Sequence, residues 1–215
     1  MTDLPILYSF RRCPYAMRGR MGLTLGGKTV RLRELILRDK PQGMLEASPK
    51  GTVPVLILED GTVIDESLDV IAWALKGHPD EDRLWGGAER EALCALIEEN
   101  DGPFKHHLDR YKYATRYEDV DEAEHRMAGA AFLSKLNDQL TAQGQLFGAE
   151  PTVADYAIFP FVRQFRIPDP DWFDAQAWPA LHPWLEGHVT SDLFISVMKK
   201  YKLWNDTGEE TVFGG

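Results

Sequence analysis

The 215-residue chain is poor in cysteine: Cys13 and Cys94 are the only two. Two thiols are too few for a disulfide scaffold or a cysteine-based zinc site, so no metal is expected, and a reducing cytoplasm is the expected setting. Positive charge is also short. The chain has 24 Lys and Arg against 34 Asp and Glu, a formal net charge of −10. That balance excludes nucleic acid as a partner, because no surplus of cations is available to neutralise phosphates. It argues equally against binding an anionic membrane surface. Long apolar runs are missing too, and no stretch approaches the roughly 18 residues that a membrane-spanning helix needs. The opening MTDLPILYSFRR has a short apolar stretch flanked by charge, so no cleavable leader is expected. There is no internal repeat and no low-complexity tract.

What is present divides near residue 80. The first third alternates strand and helix signals. PILYSF (5–10) and VRLREL (30–35) read as strands, and between them Met17, Met21 and Leu25 recur every four positions in a helix stopped at Gly26-Gly27. Residues 52–66 read as a hairpin turning at Asp60-Gly61, followed by a helix from Ser67 to about Lys76. After the turn-rich segment 78–87 the strand signals stop. Helical spacing covers 88–114, with a break or kink at Gly102-Pro103, then 121–142 through Met127, Ala131, Leu133, Leu136 and Leu140. At least two more helices are expected over 152–164 and 179–200, and the last eight residues are expected to fray. The expected organisation is an α/β domain over 1–77, a linker over 78–87 and an all-α domain over 88–215.

The stretch RRCPYAMRGR (11–20) carries the chemistry. Pro14 suits a first helical turn, because the N–H it lacks would have no intrahelical partner there. Cys13 then stands at the N-cap, beside the positive end of the helix dipole, with Arg11, Arg12, Arg18 and Arg20 nearby. Such settings bring a thiol from about 8.5 into the range of roughly 3.5–7.5 and make it a nucleophile. Position 16 is Ala, so there is no Cys-x-x-Cys pair and any disulfide at Cys13 must be resolved by another thiol. The alternative is a cysteine that merely caps the helix. Two further signals accompany it. In TVPV (52–55), Pro54 interrupts an apolar strand, which a cis Val53-Pro54 bond would explain. In DES (65–67), Ser67 reads as an N-cap whose helix start can receive a carboxylate, while Glu66 can accept from an ammonium group. Together they suit the end of an amino acid, with an ordinary capped helix as the alternative.

RRCPYAMRGR, TVPV and DES, followed by an all-α second half, resemble a cytosolic glutathione transferase of the cysteine-type, omega-like class. The chain is also similar to two-domain glutaredoxins, except that those carry a second cysteine where Ala16 stands. The resemblance implies a thioredoxin-like N-terminal domain, a helical C-terminal domain, glutathione as co-substrate and a homodimer. It implies that Cys13 faces the glutathione sulfur and that Val53, before Pro54, pairs its backbone with the cysteinyl part. It further implies that Glu66 and Ser67 hold the γ-glutamyl end and that Lys40 approaches the glycyl end. The expected activity is thiol transfer or reduction through Cys13 on a small electrophile, a disulfide or a glutathionylated substrate. The alternatives are conjugation of glutathione activated by a hydroxyl, Tyr8 or Ser9, and a non-catalytic binding module. Met17 departs from the pattern, which often has an acid there.

Other residues are assigned to structure or left open. Thr152 and Asp155 in EPTVADYAIFP read as a capping box at the start of a helix. Cys94 falls on an apolar stripe and reads as a small buried hydrophobe. His106 and His107 are adjacent on a helix, point in different directions and are not expected to make a metal pair. Phe10, Tyr111, Tyr113, Trp172 and Trp204 are candidates for an acceptor pocket or for core.

Overall fold

The computed structural model describes residues 4–209 and 211–214. The chain forms two compact units, Met1–Pro79 with Asp192–Gly215, and Asp80–Ser191. The first unit starts with β1 (Ile6–Ser9), α1 (Pro14–Leu25), β2 (Thr29–Glu34) and the short α2 (Gln42–Ala47), which the sequence patterns did not mark. It continues through β3 (Val55–Ile57), β4 (Val63–Ile64) and α3 (Ser67–Leu75). β1 and β2 are parallel, as the intervening helix requires, and β3 runs antiparallel to β1 with Tyr8 opposite Val55. The hairpin is shorter than 52–66, with only Leu56↔Ile64 and Ile57↔Val63 paired. Asp60 accepts from the Thr62 N–H at 2.9 Å and Gly61 takes a φ of +85°, which closes the turn.

The helices of this unit pack closely because α1 presents glycine. A Cβ on Gly26 would lie 2.2 Å from the Ala74 carbonyl oxygen, and one on Gly22 would lie 2.8 Å from the Ile71 side chain. Only a residue without a side chain lets α1 approach α3 this far.

The second unit is helical: α4 (Glu81–Leu84), α5 (Arg90–Glu99), α6 (Lys105–Lys112), α7 (Glu122–Gln143), α8 (Val153–Arg166), α9 (Pro170–Asp174) and α10 (Leu181–Val189). The break or kink expected at Gly102-Pro103 is a local irregularity without an interruption. Residues 100–104 form a π-helical turn that accommodates Pro103 and carries α5 into α6. α7 buries Ala130, Phe132, Leu133, Leu136 and Leu140 but leaves Met127 60% exposed and Ala131 exposed, so its apolar face is displaced from the expected one. α8 is the central helix, and Phe165 stacks on Tyr111 and Phe104 at ring separations of 4.8 and 5.6 Å. Its start is the expected capping box: the Thr152 N–H and hydroxyl both donate to Asp155 Oδ2, at 2.8 and 2.9 Å.

The chain then returns to the first unit through α11 (Asp192–Val197), α12 (Trp204–Thr207) and β5 (Thr211–Gly214). The 179–200 segment forms two helices, and the second packs on α1 with Phe194 and Val197 buried. The tail does not simply fray, although Glu210 and Gly215 lie outside the described residues. β5 pairs antiparallel with β2, Val30 opposite Phe213, and completes a sheet of order β4-β3-β1-β2-β5. The pairing satisfies an otherwise bare edge of β2 and buries the Phe213 ring. Residues 192–215 therefore group with the α/β unit rather than with the expected 88–215 domain.

Candidate active site

Cys13 is the N-cap of α1, with backbone φ −79° and ψ 123°, and Pro14 occupies the first helical turn. The loop from β1 is held by Cys13 N–H donating to the Phe10 carbonyl at 3.0 Å. Cys13 is partly exposed, and its Sγ lies 3.8 Å from the Val53 carbonyl oxygen. The Val53-Pro54 bond is cis. Cys13 and Phe10 pack against the buried cluster of Tyr8, Ala16, Leu35, Met44, Val53 and Val55.

The four arginines near Cys13 differ from one another. Arg12 is exposed. Arg11 reaches the Met198 carbonyl at 3.4 Å, and its own N–H donates to Glu34 Oε1 at 2.7 Å. Arg18 is fully buried and donates to the Ser67 hydroxyl at 3.5 Å. Arg20 is fully buried as well, 3.8 Å from Glu34 and donating to the Val197 carbonyl at 3.0 Å. Burial pushes the Arg20 guanidinium below its ordinary value, and Glu34, Tyr201 and Cys13 pull it back up. Burial likewise pushes the Glu34 carboxyl up, against the opposing influence of Arg20.

Residues 65–67 adjoin a second charged group. Glu66, not Ser67, is the N-cap of α3, and Ser67 is the first helical residue, buried beside Arg18. Glu66 is exposed and accepts from Lys50 Nζ at 2.6 Å, and the same ammonium is 3.1 Å from Asp65. The Ser48 hydroxyl donates to Asp65 at 2.6 Å and, with Lys50, holds that carboxyl below its usual range. Lys40 Nζ lies near Gly51, where an added Cβ would stand 3.2 Å from it. The hydroxyl candidates are enclosed. Tyr8 is 1% exposed with its hydroxyl accepting from Arg33 at 2.5 Å, and Ser9 is fully buried.

Family models describe both units. A glutathione S-transferase N-terminal domain matches residues 7–82 and a glutathione S-transferase C-terminal domain matches residues 106–187. The chain belongs to the glutathione S-transferase family. A pyrimidodiazepine synthase of Drosophila melanogaster is 29% identical over 86% of this chain and 79% of its own. The omega-1 glutathione S-transferase of Mus musculus is 23% identical over 74% of this chain and 66% of its own. Among solved structures, a glutathione transferase family member from Pseudomonas fluorescens with two glutathiones bound superposes with a TM-score of 0.79. It covers 92% of this chain and 93% of its own at 16% identity, a likeness of fold. Family membership supports a glutathione transferase activity in general.

Two residues of this glutathione transferase escaped the sequence reading. Lys50 bridges Glu66 and Asp65, but a lysine in SPKGT looks like any surface lysine until the loop folds back. Glu34 anchors the loop before Cys13. Its signal was available, since β2 buries alternate residues and Glu34 follows Val30 and Leu32 on the inward face. Of the acceptor-pocket candidates, Tyr111 is core, 2% exposed, and Trp172 is stacked beneath the Arg126 guanidinium at 4.6 Å. Trp204 stands edge-on to Tyr8 at 6.2 Å, and Phe10 and Tyr113 are half-buried. Cys94 is half-buried rather than enclosed. No helix is long and apolar enough to cross a membrane among the described residues.

Proposed function

We propose that this protein is a glutathione-dependent thiol transferase or reductase that works through Cys13. The observation that carries the reading is the partly exposed Cys13 at the N-terminus of α1, its sulfur 3.8 Å from the Val53 carbonyl. A thiolate there is favoured by the positive end of the helix dipole. It attacks the glutathionyl sulfur of a mixed disulfide, forming Cys13–S–S–glutathione and expelling the acceptor thiolate, which takes a proton. A glutathione thiolate then attacks the Cys13-bound glutathionyl sulfur, releasing oxidised glutathione and restoring the Cys13 thiolate. The net exchange converts the mixed disulfide and one glutathione into the acceptor thiol and oxidised glutathione, and no second protein thiol is used.

In this reading the Val53 backbone pairs with the cysteinyl part of glutathione. Glu66 accepts from the γ-glutamyl ammonium, and Ser67 with the start of α3 receives its carboxylate. Lys40 faces the glycyl carboxylate, and Lys50 keeps Glu66 and Asp65 oriented. The physiological setting is the cytoplasm and the assembly a homodimer. The enclosure of Tyr8 and Ser9 favours Cys13 over hydroxyl-driven conjugation, since neither hydroxyl is presented to a bound thiol.

The test is intact mass after incubation with oxidised glutathione, followed by peptide mapping and a thiol-transfer assay. One glutathionyl adduct on Cys13, removed by reduced glutathione, is expected, with Cys13→Ala losing both adduct and turnover. Equal turnover in Cys13→Ala and wild type would sink the proposal.

A further inference from the structure

The helical unit carries a cluster that the glutathione reading leaves unused. His106 and His107, at the start of α6, meet His125 from the first turns of α7. One ligating atom from each of the three lies within 4.8 Å of the others. His107 Nδ1 and His125 Nδ1 are 2.8 Å apart, and the rings of His106 and His125 are centred 5.7 Å apart. The adjacency of His106 and His107 argued against a metal pair. His125, eighteen positions on in sequence, lies against both rings and changes that argument.

We propose that His106, His107 and His125 form a binding site for a divalent first-row transition metal, with Zn²⁺ the natural occupant. Three imidazoles and no carboxylate among the ligands select zinc, copper or nickel over magnesium or calcium, which demand oxygen. Metal–nitrogen bonds of about 2.0–2.1 Å in a tetrahedral site set ligand nitrogens roughly 3.3–3.4 Å apart, so the outermost ligand atom draws in and the His107–His125 contact opens slightly. His106 is the exposed member and has the freedom to do so. His107 and His125 are half-buried and already in contact.

The protonation state suits the assignment. Burial, with Arg110 and the neighbouring imidazoles, holds His106 and His107 below the ordinary histidine value. Asp109 opposes this at His106 and Glu124 at His107. A bound cation takes a ring-nitrogen lone pair from each of the three imidazoles. In the apo cluster one of His107 and His125 donates its Nδ1–H to the other. Ligation through both Nδ1 atoms moves that proton to Nε2 of the donor ring, with no net proton released. The opposing feature is Arg110, whose guanidinium contacts His106 Nδ1 at 3.0 Å. If His106 ligates through Nε2, its proton shifts to Nδ1 and the Arg110 contact opens.

The experiment is calorimetric titration of Zn²⁺ into untagged, chelator-treated full-length protein. It uses wild type, His125→Ala, His107→Ala and Cys13→Ala, with folding checked by circular dichroism. Wild type and Cys13→Ala are expected to bind one Zn²⁺ per chain with the same affinity. Each histidine variant is expected to lose at least about tenfold. The proposal is overturned if His125→Ala binds as wild type does, if Cys13→Ala is the variant that loses binding, or if wild type takes up no stoichiometric Zn²⁺. Because Cys13→Ala keeps the metal site, failure here is distinguishable from failure of the thiol-transfer reading.

Discussion

Glu34 is the residue at which the position of Cys13 and the stability of its unit meet. One of its oxygens accepts from Arg11 N–H, two residues before the cysteine, and the other faces the buried Arg20 guanidinium. Replacing Glu34 by Ala strands that guanidinium away from water without its carboxylate, which costs about 3–5 kcal/mol. Urea denaturation should show a loss of this size. The double variant Arg20→Met/Glu34→Leu should recover most of it, because a buried ion pair contributes little beyond the penalty of breaking it. Lys50 is the opposite case, exposed and bonded to exposed acids. Lys50→Ala should leave stability nearly unchanged and weaken glutathione binding by only about two- to fivefold, as exposed ion pairs do. Titrating reduced glutathione against both proteins measures this, and a loss of a hundredfold would mean that Lys50 contacts glutathione itself. Of these two residues, only Glu34 was legible. Strand alternation marks an inward acid, whereas no local pattern marks a lysine that a loop brings back to Glu66.

Elements were legible where periodicity ran long and opaque where a short segment relied on a distant partner. α1 and α8 follow their spacing and caps almost to the residue. α2 has six residues and β5 has four, so neither has room for a pattern, and β5 exists because β2 offers an edge. The face of α7 was misplaced because Met127 and Ala131 are apolar yet exposed, while Gly129 turns inward. Its Cβ would meet the Phe165 ring at 2.4 Å. Glycine in helices therefore reports packing here, and two substitutions separate its roles. Gly26→Ala, at the end of α1, drives a methyl into the Ala74 backbone and should cost about 1–3 kcal/mol. Gly187→Ala, on the exposed face of α10 with nothing within 4 Å, should stabilise by roughly 0.4–1 kcal/mol. Thermal melts of the two variants should move in opposite directions. Shifts of the same sign would show that helix propensity, not close approach, governs both sites.

At the scale of the molecule, the glutathione transferase fold was readable because the change from alternating elements to helices is abrupt near residue 80. The return of residues 192–215 was not, since helical periodicity does not say which unit a helix packs on. The two units also answer acid differently. In the helical unit His188 is buried, stacked on Phe159 at 4.9 Å and bonded to Gln145. Burial holds its imidazole below the ordinary value, against the attraction of Asp155. A histidine whose folded value is depressed binds fewer protons folded than unfolded, so its contribution is present above about pH 6.5 and is lost as pH falls. His106 and His107 are depressed too and add in the same direction. In the α/β unit the raised Glu34 carboxyl has the reverse sign: its contribution is full in acid and is lost as pH rises through its folded value. Acidification from pH 7.0 to 5.5 should therefore loosen α8 and α10 while sparing β1 and β2. Hydrogen exchange corrected for intrinsic rates would read each segment, and His188→Gln should remove part of the change in α8 and α10. Equal loosening of both units, with His188→Gln behaving as wild type, would move the acid response away from these histidines and onto the carboxylates.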